Sequence, residues 1–207
     1  MRLFPDLQTH SEARIQEFNQ IPELRKTQLQ KIAKYVKERT QAGQPARLTF
    51  ICTHNSRRSH MSQIWAAAAA RHYGVKGVEV FSGGTEATAF NPRAVAALQR
   101  AGFKIEIAEE GKNTRFAVRF QETGDSLVCH SKVYNSPPNP QKDFCAVLTC
   151  SQADKACPVV EGASVRVAVP FEDPKVADST PAEVATYDER CGQIAREMLY
   201  IFSQVEN

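Results

Sequence analysis

The feature that most constrains this chain is the run of residues 48–63, LTFICTHNSRRSHMSQ. The apolar residues before Cys52 are typical of a short buried strand, the polar residues after it are typical of a turn, and a helix is predicted to begin near Arg58 and Ser59. In that order of elements, the backbone N–H groups of the turn surround one point at a helix N-terminus, which is a ready-made anion site. The run therefore predicts a βα unit with a thiol at an anion-binding turn.

Cys52 and Arg58 are the candidate chemical groups of this turn. The field at a helix N-terminus favours a thiolate, so we expect Cys52 to be a nucleophile facing a bound oxyanion, onto which Arg58 can fork two N–H donors. The spacing Cys-x5-Arg is weak evidence alone, because a chain with six cysteines produces it often by chance. The bland alternative is a buried cysteine at a strand end followed by a solvated arginine, and the strand, turn and helix together favour the anion site.

Length and composition exclude several classes of protein. The 207 residues are enough for one domain with a sizeable core, and a net charge of +3 without clusters compels neither a nucleic-acid nor a membrane partner. The N-terminus lacks the apolar run of a secretory signal, and no stretch approaches the length of a membrane span. Six cysteines in a chain of this length do not form a disulfide scaffold, and a thiolate nucleophile needs a reducing compartment. We expect a cytoplasmic protein.

From residue 47 onward the pattern alternates between strands and helices. The predicted strands are residues 47–52, 78–82, 145–150 and 165–169, and the predicted helices are residues 58–72, 92–101 and 181–202. Pro92 and Pro181 each suit a first helical turn. The alternation predicts an α/β fold with a doubly wound, four-stranded parallel sheet flanked by helices.

Two segments are additions to this core. Residues 1–45 are predicted to be an N-terminal helical extension, whose apolar stripe docks on the core or on a second subunit, so a homodimer through these helices is one arrangement. Residues 46–207 are predicted to be the catalytic domain. Within it, residues 113–142 are predicted to be an insertion, which contains a β-hairpin of residues 116–120 and 126–130 and then a proline-rich loop.

Chemically useful residues follow all four predicted strands. The strands end at Cys52, at Ser82-Gly-Gly84, at Cys150 and just before Glu172-Asp-Pro174. Because ligands bind at the carboxyl ends of parallel strands, we expect these segments to meet. Asp173 then becomes a candidate general acid that protonates the leaving oxygen. Its alternative role is to initiate a turn, as Asp-Pro commonly does.

Cys150 and Cys157 form a second constellation. On a rigid helix, residues seven apart lie about 10 Å apart along the axis, whereas a disulfide needs Cα atoms within about 7 Å. The pair can bridge only if the segment unwinds, and a mobile pair of thiols beside a nucleophilic cysteine suggests a relay that carries a disulfide away from Cys52. The alternative is a buried thiol at a strand end and an incidental loop thiol.

The other candidates are weaker. Cys129, Cys145 and Cys191 have the pattern of small core residues, and no Cys-x2-Cys spacing supports a metal site, so we expect no metal. His54 and His60 flank the turn, where each either tunes its charge or is merely solvated.

Three blocks of sequence resemble the low-molecular-weight protein tyrosine phosphatase family, and within it the thioredoxin-coupled arsenate reductases. They are Cys52-Thr-His-Asn-Ser-Arg-Arg-Ser59, the run FSGGTEATAFNP at residues 81–92, and the run LTCSQADKACP at residues 148–158 continuing to Phe171-Glu-Asp-Pro174. The third block, with both cysteines at their spacing, is similar to the reductase branch in particular.

The resemblance implies a role for each matching residue. Cys52 would be the nucleophile, Arg58 the oxyanion clamp and Asp173 the general acid. Asn55 would brace the turn and Ser59 would donate a hydrogen bond to the thiolate. The substrate would lie within the turn itself, whose residues after the nucleophile are Thr53, His54, Asn55, Ser56, Arg57, Arg58 and Ser59.

The resemblance also implies a mechanism. Cys52 would attack arsenate, Cys150 would attack Cys52 and release arsenite, and Cys157 would then attack Cys150. The resulting disulfide would be reduced by thioredoxin as an external reductant, with no bound cofactor.

Departures from the family pattern keep alternatives open. His54 replaces a small residue, Arg57 adds a positive charge, and Lys175-Val-Ala177 lacks the aromatic residues with which tyrosine-specific members stack a phenyl ring. Gln63 replaces an acidic residue that contributes to a potassium site in some reductases. The alternative enzyme is a phosphatase that acts on phosphotyrosine or small phosphomonoesters, in which Cys150 and Cys157 protect Cys52. A third hypothesis is a catalytically inactive module that binds phosphorylated groups or senses redox state.

Overall fold

A computed structural model describes residues 2–157 and 159–205; residues 1, 158, 206 and 207, which the predicted domain ranges include, lie outside the described residues. The N-terminal part holds α1 (Pro5–Ile15), a 3₁₀ turn (Phe18–Gln20) and α2 (Glu23–Gln41). The α/β part contains β1 (Ala46–Cys52), α3 (Arg58–His72), β2 (Val78–Gly84), α4 (Pro92–Arg100), β3 (Lys104–Glu109), β4 (Arg115–Arg119), β5 (Leu127–Cys129), β6 (Phe144–Leu148), α5 (Ser151–Ala156), β7 (Ala163–Ala168), a 3₁₀ turn (Pro174–Ala177) and α6 (Glu183–Ser203).

The central sheet is parallel and four-stranded, in the order β2-β1-β6-β7, as predicted. The two central strands, β1 and β6, are buried almost throughout, because their side chains alternate between two faces that are both covered. Leu48 and Phe50 of β1 point into a large core shared with α1, α2, α3, α4 and α6, whereas Ile51 and Cys52 belong to a smaller core on which α5 lies. The end of the sheet that carries Cys52 and Cys150 therefore lies against the smaller core.

The observed boundaries differ from the predicted ones at two places that matter. The third strand ends at Leu148, so Cys150 is not a strand residue but the N-cap of α5. The last helix begins at Glu183, so Pro181 lies before its first turn, whereas Pro92 does occupy a first turn, behind the Asn91 cap.

The predicted hairpin is confirmed, since β4 and β5 pair antiparallel. A third strand that the sequence analysis did not predict, β3, pairs with β4 on the other side, so the hairpin is part of a three-stranded sheet in the order β3-β4-β5. Exposed glutamates and a lysine dilute the apolar alternation of β3, which explains why its sequence carried little strand signal.

The helical extension packs on its own chain. The apolar stripe predicted on α2 consists of Leu24, Leu29, Ile32, Ala33 and Val36. The last four are buried against β1, β7 and α6, whereas Leu24, in the first turn, is 78% exposed and does not belong to the buried face. Of the two predicted uses of this stripe, docking on the core is therefore the one observed. Within the described residues, no helix has both the length and the apolar character needed to cross a membrane.

Candidate active site

The turn after β1 is held by a chain of side-chain hydrogen bonds that ends on the sulfur of Cys52. We call residues 52–59 the anion loop. Asn55 has a positive φ of 44° and its Nδ2 donates to Ser59 Oγ at 2.9 Å, while Ser59 Oγ lies 3.0 Å from Cys52 Sγ. Because Ser59 Oγ already accepts from Asn55, its own proton is free to point at the sulfur. This geometry places Asn55 and Ser59 where their predicted roles would put them, and the roles themselves stay predictions.

Two glycines at the end of β2 let the anion loop and a later segment approach this strand closely. A Cβ atom at Gly84 would lie 2.6 Å from the carbonyl oxygen of Thr53, and one at Gly83 would lie 2.2 Å from the Cα atom of Tyr134. The Gly-Gly pair at the end of β2 therefore admits the loop on one side and a later segment on the other.

That later segment, residues 131–139, braces the loop from behind, and we call it the bracing segment. The backbone N–H of Lys132 donates to Asn55 Oδ1 at 2.9 Å, and Ser131 Oγ donates to the carbonyl oxygen of His54 at 3.0 Å. Asn139 Nδ2 donates to the carbonyl oxygen of Ser82 on the edge strand β2 at 2.9 Å. Part of the predicted insertion thus supports the anion loop, and no sequence motif indicated these contacts.

Lys132 is unusual because its ammonium is buried. The residue is 8% exposed, its Nζ donates to the carbonyl oxygen of His130 at 3.1 Å, and burial lowers its pKa. Its charge lies close enough to His60 to help lower the pKa of that imidazole, although burial is the larger cause.

His60 neither tunes the loop by its charge nor is solvated, so both predicted roles are wrong. It is fully buried, its ring stacks on Phe90 with the centroids 4.1 Å apart, and its Nδ1 lies 3.2 Å from Ser82 Oγ. Burial holds its pKa well below 6.5, which keeps the ring neutral. His54 is different: it is half-exposed at the rim and its Nε2 lies 3.0 Å from a carboxylate oxygen of Glu86.

Arg58 and Asp173 come together as predicted. Arg58 is 8% exposed; its Nη1 donates to the carbonyl oxygen of Phe171 at 2.9 Å and its Nη2 to Asp173 Oδ2 at 2.6 Å. Asp173 also caps the following 3₁₀ turn, because its Oδ1 accepts from the backbone N–H of Lys175. Asp173 therefore initiates a turn, which was its alternative predicted role, and it also lies beside Arg58, the candidate oxyanion clamp.

Arg57 is engaged elsewhere. Its Nε donates to the hydroxyl of Tyr187 at 2.8 Å and its Nη2 lies 3.5 Å from Asp178 Oδ2, while the Tyr187 hydroxyl donates to Asp178 Oδ1. The extra positive charge expected from Arg57 is thus offset by a carboxylate at the far end of the segment that carries Asp173. Ser56 anchors the loop to α4, since its carbonyl oxygen accepts from the backbone N–H of Asn91.

Three thiols meet in the smaller core. Cys52, Cys150 and Cys157 are 4%, 1% and 8% exposed and belong to one apolar cluster, and all are free. Thr53 Oγ1 lies 3.5 Å from Cys150 Sγ, which joins the anion loop directly to the second thiol. The strand ends predict the meeting of Cys52 and Cys150, whereas Cys157 was a candidate only through its spacing from Cys150.

Cys150 and Cys157 cap the two ends of α5, and we call residues 150–157 the redox segment. Cys150 Sγ accepts from the backbone N–H of Ala153 at 3.3 Å, and the backbone N–H of Cys157 donates to the carbonyl oxygen of Ala153. A six-residue helix between the two thiols separates them too far for a disulfide, so a bridge requires the helix to unwind.

Arg166 on β7 holds the redox segment, and sequence analysis did not identify it. Its Nε donates to the carbonyl oxygen of Cys157 at 3.0 Å, its Nη2 donates to the carbonyl oxygen of Asp154 at 2.8 Å, and Nη2 also pairs with the Asp154 carboxylate. Burial raises the pKa of the Cys157 thiol, and the Arg166 charge opposes that rise.

The remaining cysteines are core residues, as predicted. Burial raises the pKa of Cys129 and of Cys191 to about 12 and also raises that of Cys145. No group of three His, Cys, Asp or Glu side chains within residues 2–157 and 159–205 could hold a metal ion.

Comparison with known proteins agrees with this geometry. The sequence profile of the low molecular weight phosphotyrosine protein phosphatase family matches residues 47–118. An arsenate reductase of Brevibacillus brevis is 33% identical over 125 residues, covering 60% of this chain and 74% of the relative. One of Halalkalibacterium halodurans is 31% identical over 134 residues, covering 65% and 78%. The chain belongs to the low-molecular-weight phosphotyrosine protein phosphatase family.

Solved structures of that family share the fold. A low molecular weight phosphotyrosine phosphatase of Vibrio cholerae superimposes with a TM-score of 0.52 at 13% identity, covering 76% of this chain and 95% of that one. An arsenate reductase in the phosphate binding state superimposes with a TM-score of 0.51 at 16% identity, covering 77% and 98%. Because the family's members and these relatives are named as enzymes, the chain is an enzyme, and the match to relatives called arsenate reductase agrees with the predicted branch.

Proposed function

We propose that this protein is an arsenate reductase that works through a relay of Cys52, Cys150 and Cys157. The observation that carries the proposal is the convergence of three free thiols in one apolar cluster at the end of the sheet, beside Arg58 and Asp173. A phosphatase needs only the thiol of Cys52, so the presence of Cys150 and Cys157 beside it favours a redox role.

The first step uses the anion loop. The Cys52 thiolate attacks the arsenic of arsenate, and Asp173 gives a proton to the oxygen that leaves as water. Arg58 offsets the negative charge of the oxyanion, and the hydroxyl of Ser59 stabilises the thiolate before attack. The product is a covalent thiol–arsenate adduct.

The relay then moves two electrons to arsenic. The Cys150 thiolate attacks Cys52 Sγ, the sulfur–arsenic bond breaks, and its electron pair stays on arsenic, which leaves as arsenite. Cys157 attacks Cys150 and frees the Cys52 thiolate. The Cys150–Cys157 disulfide takes two electrons from an external dithiol, for which we propose thioredoxin.

The second candidate is a phosphatase acting on phosphotyrosine or small phosphomonoesters. The observation that favours it is that Cys52, Arg58 and Asp173 suffice for a phosphocysteine intermediate, because arsenate and phosphate are nearly the same size and shape. In either case the substrate carries a tetrahedral oxyanion. A homodimer through the N-terminal helices remains a prediction. It would use their outward faces, where Leu24 is exposed, since the other four residues of the predicted stripe of α2 are already buried.

The test measures arsenate-dependent NADPH oxidation in the presence of thioredoxin and thioredoxin reductase, and hydrolysis of para-nitrophenyl phosphate in parallel. The proteins compared are the parent, Cys150→Ser, Cys157→Ser and the matched control Cys191→Ser. Cys191 lies on α6 outside the cluster, and serine there keeps an acceptor for the Trp65 indole N–H.

Arsenate turnover that is lost in the first two variants and kept in the control, with ester hydrolysis intact in all, supports the reductase. Brisk ester hydrolysis with no arsenate turnover in the parent would instead establish the phosphatase. If neither substrate reacts and no covalent intermediate forms at Cys52, the protein is an idle binding or redox-sensing module.

A further inference from the structure

An arginine of the N-terminal extension reaches the segment that carries the proposed general acid. Arg25 of α2 donates from Nε to Glu197 Oε2 at 2.8 Å, and its Nη2 lies 2.8 Å from the same oxygen. The guanidinium carbon of Arg25 lies 4.8 Å from the centre of the Phe171 ring. The arginine is therefore a bridge between α6 and the residue two positions before Asp173.

Phe171 is the first residue of the segment 171–178, which we call the acid loop. It is 4% exposed, its backbone N–H donates to the carbonyl oxygen of Thr149, and its own carbonyl oxygen accepts from Arg58 Nη1. Phe171, which Arg25 covers, therefore supplies one of the two acceptors that orient Arg58. The other acceptor is Asp173.

The two ends of the acid loop are held differently. At the far end Asp178 accepts from the Tyr187 hydroxyl and pairs with Arg57. At the near end the ring of Phe171 is held in place under Arg25, which an arginine does well because its planar guanidinium can pair with a carboxylate and stack on a ring together.

The carboxylate of the Arg25–Glu197 pair is buried, and the arginine is partly buried. Glu197 is 2% exposed and burial raises its pKa, so its charged form depends on the arginine beside it. The pair fixes the direction of the arginine more closely than a surface pair would, since the buried carboxylate has no water as an alternative partner.

We propose that Arg25 is a positioning residue for the reaction: by holding Phe171, it sets the acid loop so that Asp173 faces the anion loop and Arg58 keeps both of its acceptors. The proposal gives the N-terminal extension a catalytic purpose, and it rests on the proposed use of Asp173 as general acid.

The test uses the double variant Arg25→Met/Glu197→Gln, which removes the arginine without leaving a buried carboxylate unpaired. The matched control is Lys26→Met, which removes the next cation of the same helix, whose pair with Glu23 is exposed. Hydrogen exchange of the amides of residues 171–176 reports on the acid loop whether or not a given substrate reacts. The ratio of kcat/KM for phenyl phosphate to that for para-nitrophenyl phosphate, together with kcat/KM for arsenate, reports on the acid itself.

We expect the amides of the acid loop to exchange roughly tenfold faster in the double variant, with the sheet amides unchanged. We expect kcat/KM for arsenate to fall roughly tenfold, and any ester hydrolysis to fall more for phenyl phosphate, whose poorer leaving group depends more on the acid. Unchanged exchange in residues 171–176 would overturn the proposal, and so would faster exchange with undiminished kcat/KM.

Asp173→Asn separates this inference from the function on which it rests. If that variant keeps the kcat/KM of the parent for both arsenate and the esters, the assignment of Asp173 as the acid is wrong, whereas the exchange result still decides whether Arg25 orders the loop.

Discussion

The anion loop and the redox segment lie side by side over the same small core, but they are held in different ways. The anion loop is bonded from β2, α4, the bracing segment and within itself, through both side chains and backbone. The redox segment contains a six-residue helix, and the side chain of Arg166 holds its C-terminal end. The contrast indicates that the first chemical step needs a fixed cradle, while the relay needs a segment that can unwind.

The largest effect on activity is expected from a substitution of Arg58 in the anion loop. In Arg58→Lys a cation remains, but the fork that reaches both Phe171 and Asp173 is lost. We expect kcat/KM for arsenate and for para-nitrophenyl phosphate to fall about 10³-fold, the upper range for loss of a donor to a developing oxyanion. Arg71→Lys, in the last turn of the same helix, serves as control. A loss smaller than tenfold in Arg58→Lys would show that the clamp is elsewhere.

Asn55 tests whether the loop is held by its hydrogen bonds or by its backbone conformation. In Asn55→Ala the bonds to Ser59 and to the Lys132 N–H disappear and a positive φ is imposed on alanine. We expect steady-state kcat/KM to fall about 10²-fold, because a small misplacement of the nucleophile is costly. Asn55→Gly tolerates the φ but lacks the bonds, so near-parent activity in that variant would mean that conformation alone matters.

Arg166→Met tests how the redox segment is held. Since the arginine holds the wound helix of the reduced state, its loss favours the disulfide, and the reduction potential of the Cys150–Cys157 pair becomes more negative by about 30 mV, a tenfold change in the equilibrium. Redox titration against glutathione measures this shift, with Arg115→Met as an exposed control. Hydrolysis of para-nitrophenyl phosphate stays at the parent level. A potential that does not move would show that Arg166 holds the segment equally in both states.

The smallest expected effect is on the pH dependence of stability, and it concerns the buried imidazole of His60, next to the anion loop in the chain. The pKa of His60 is lowered by burial, so below about pH 6.5 the unfolded chain binds a proton there that the folded chain does not. The stability that its neutral form contributes is present above that pH, and the free energy of unfolding falls by about 1.4 kcal/mol per pH unit below it.

Urea unfolding between about pH 5 and pH 7 compares the parent with His60→Gln. Burial also lowers the pKa values of His10 and His130, so the parent slope includes them and only the difference between the two proteins reports on His60. Equal slopes would mean that the His60 ring is protonated in the folded protein.

The sequence predicted the fold, and the placement of the first candidate residues at one end of the sheet, because both depend on local patterns. Parallel strands need apolar runs, a helix N-terminus needs a turn before it, and ligands collect at strand ends. Those rules were enough to bring Cys52, Arg58, Asp173 and Cys150 together. They missed β3, whose side chains are mostly exposed, and they misjudged His60, whose burial depends on the distant Phe90 and Ser82.

The candidate chemical groups can be identified from the order of the residues: a thiol at a predicted anion-binding turn, an arginine, a carboxyl group and two further thiols at a fixed spacing. The way in which those groups are held depends on the packing of distant segments. Lys132 braces Asn55 through a backbone N–H, Arg166 grips carbonyl oxygens, and Arg25 covers the Phe171 ring. Backbone donors, carbonyl acceptors and ring faces are present throughout any chain, so contacts of this kind leave no sequence motif and are set only when distant segments pack.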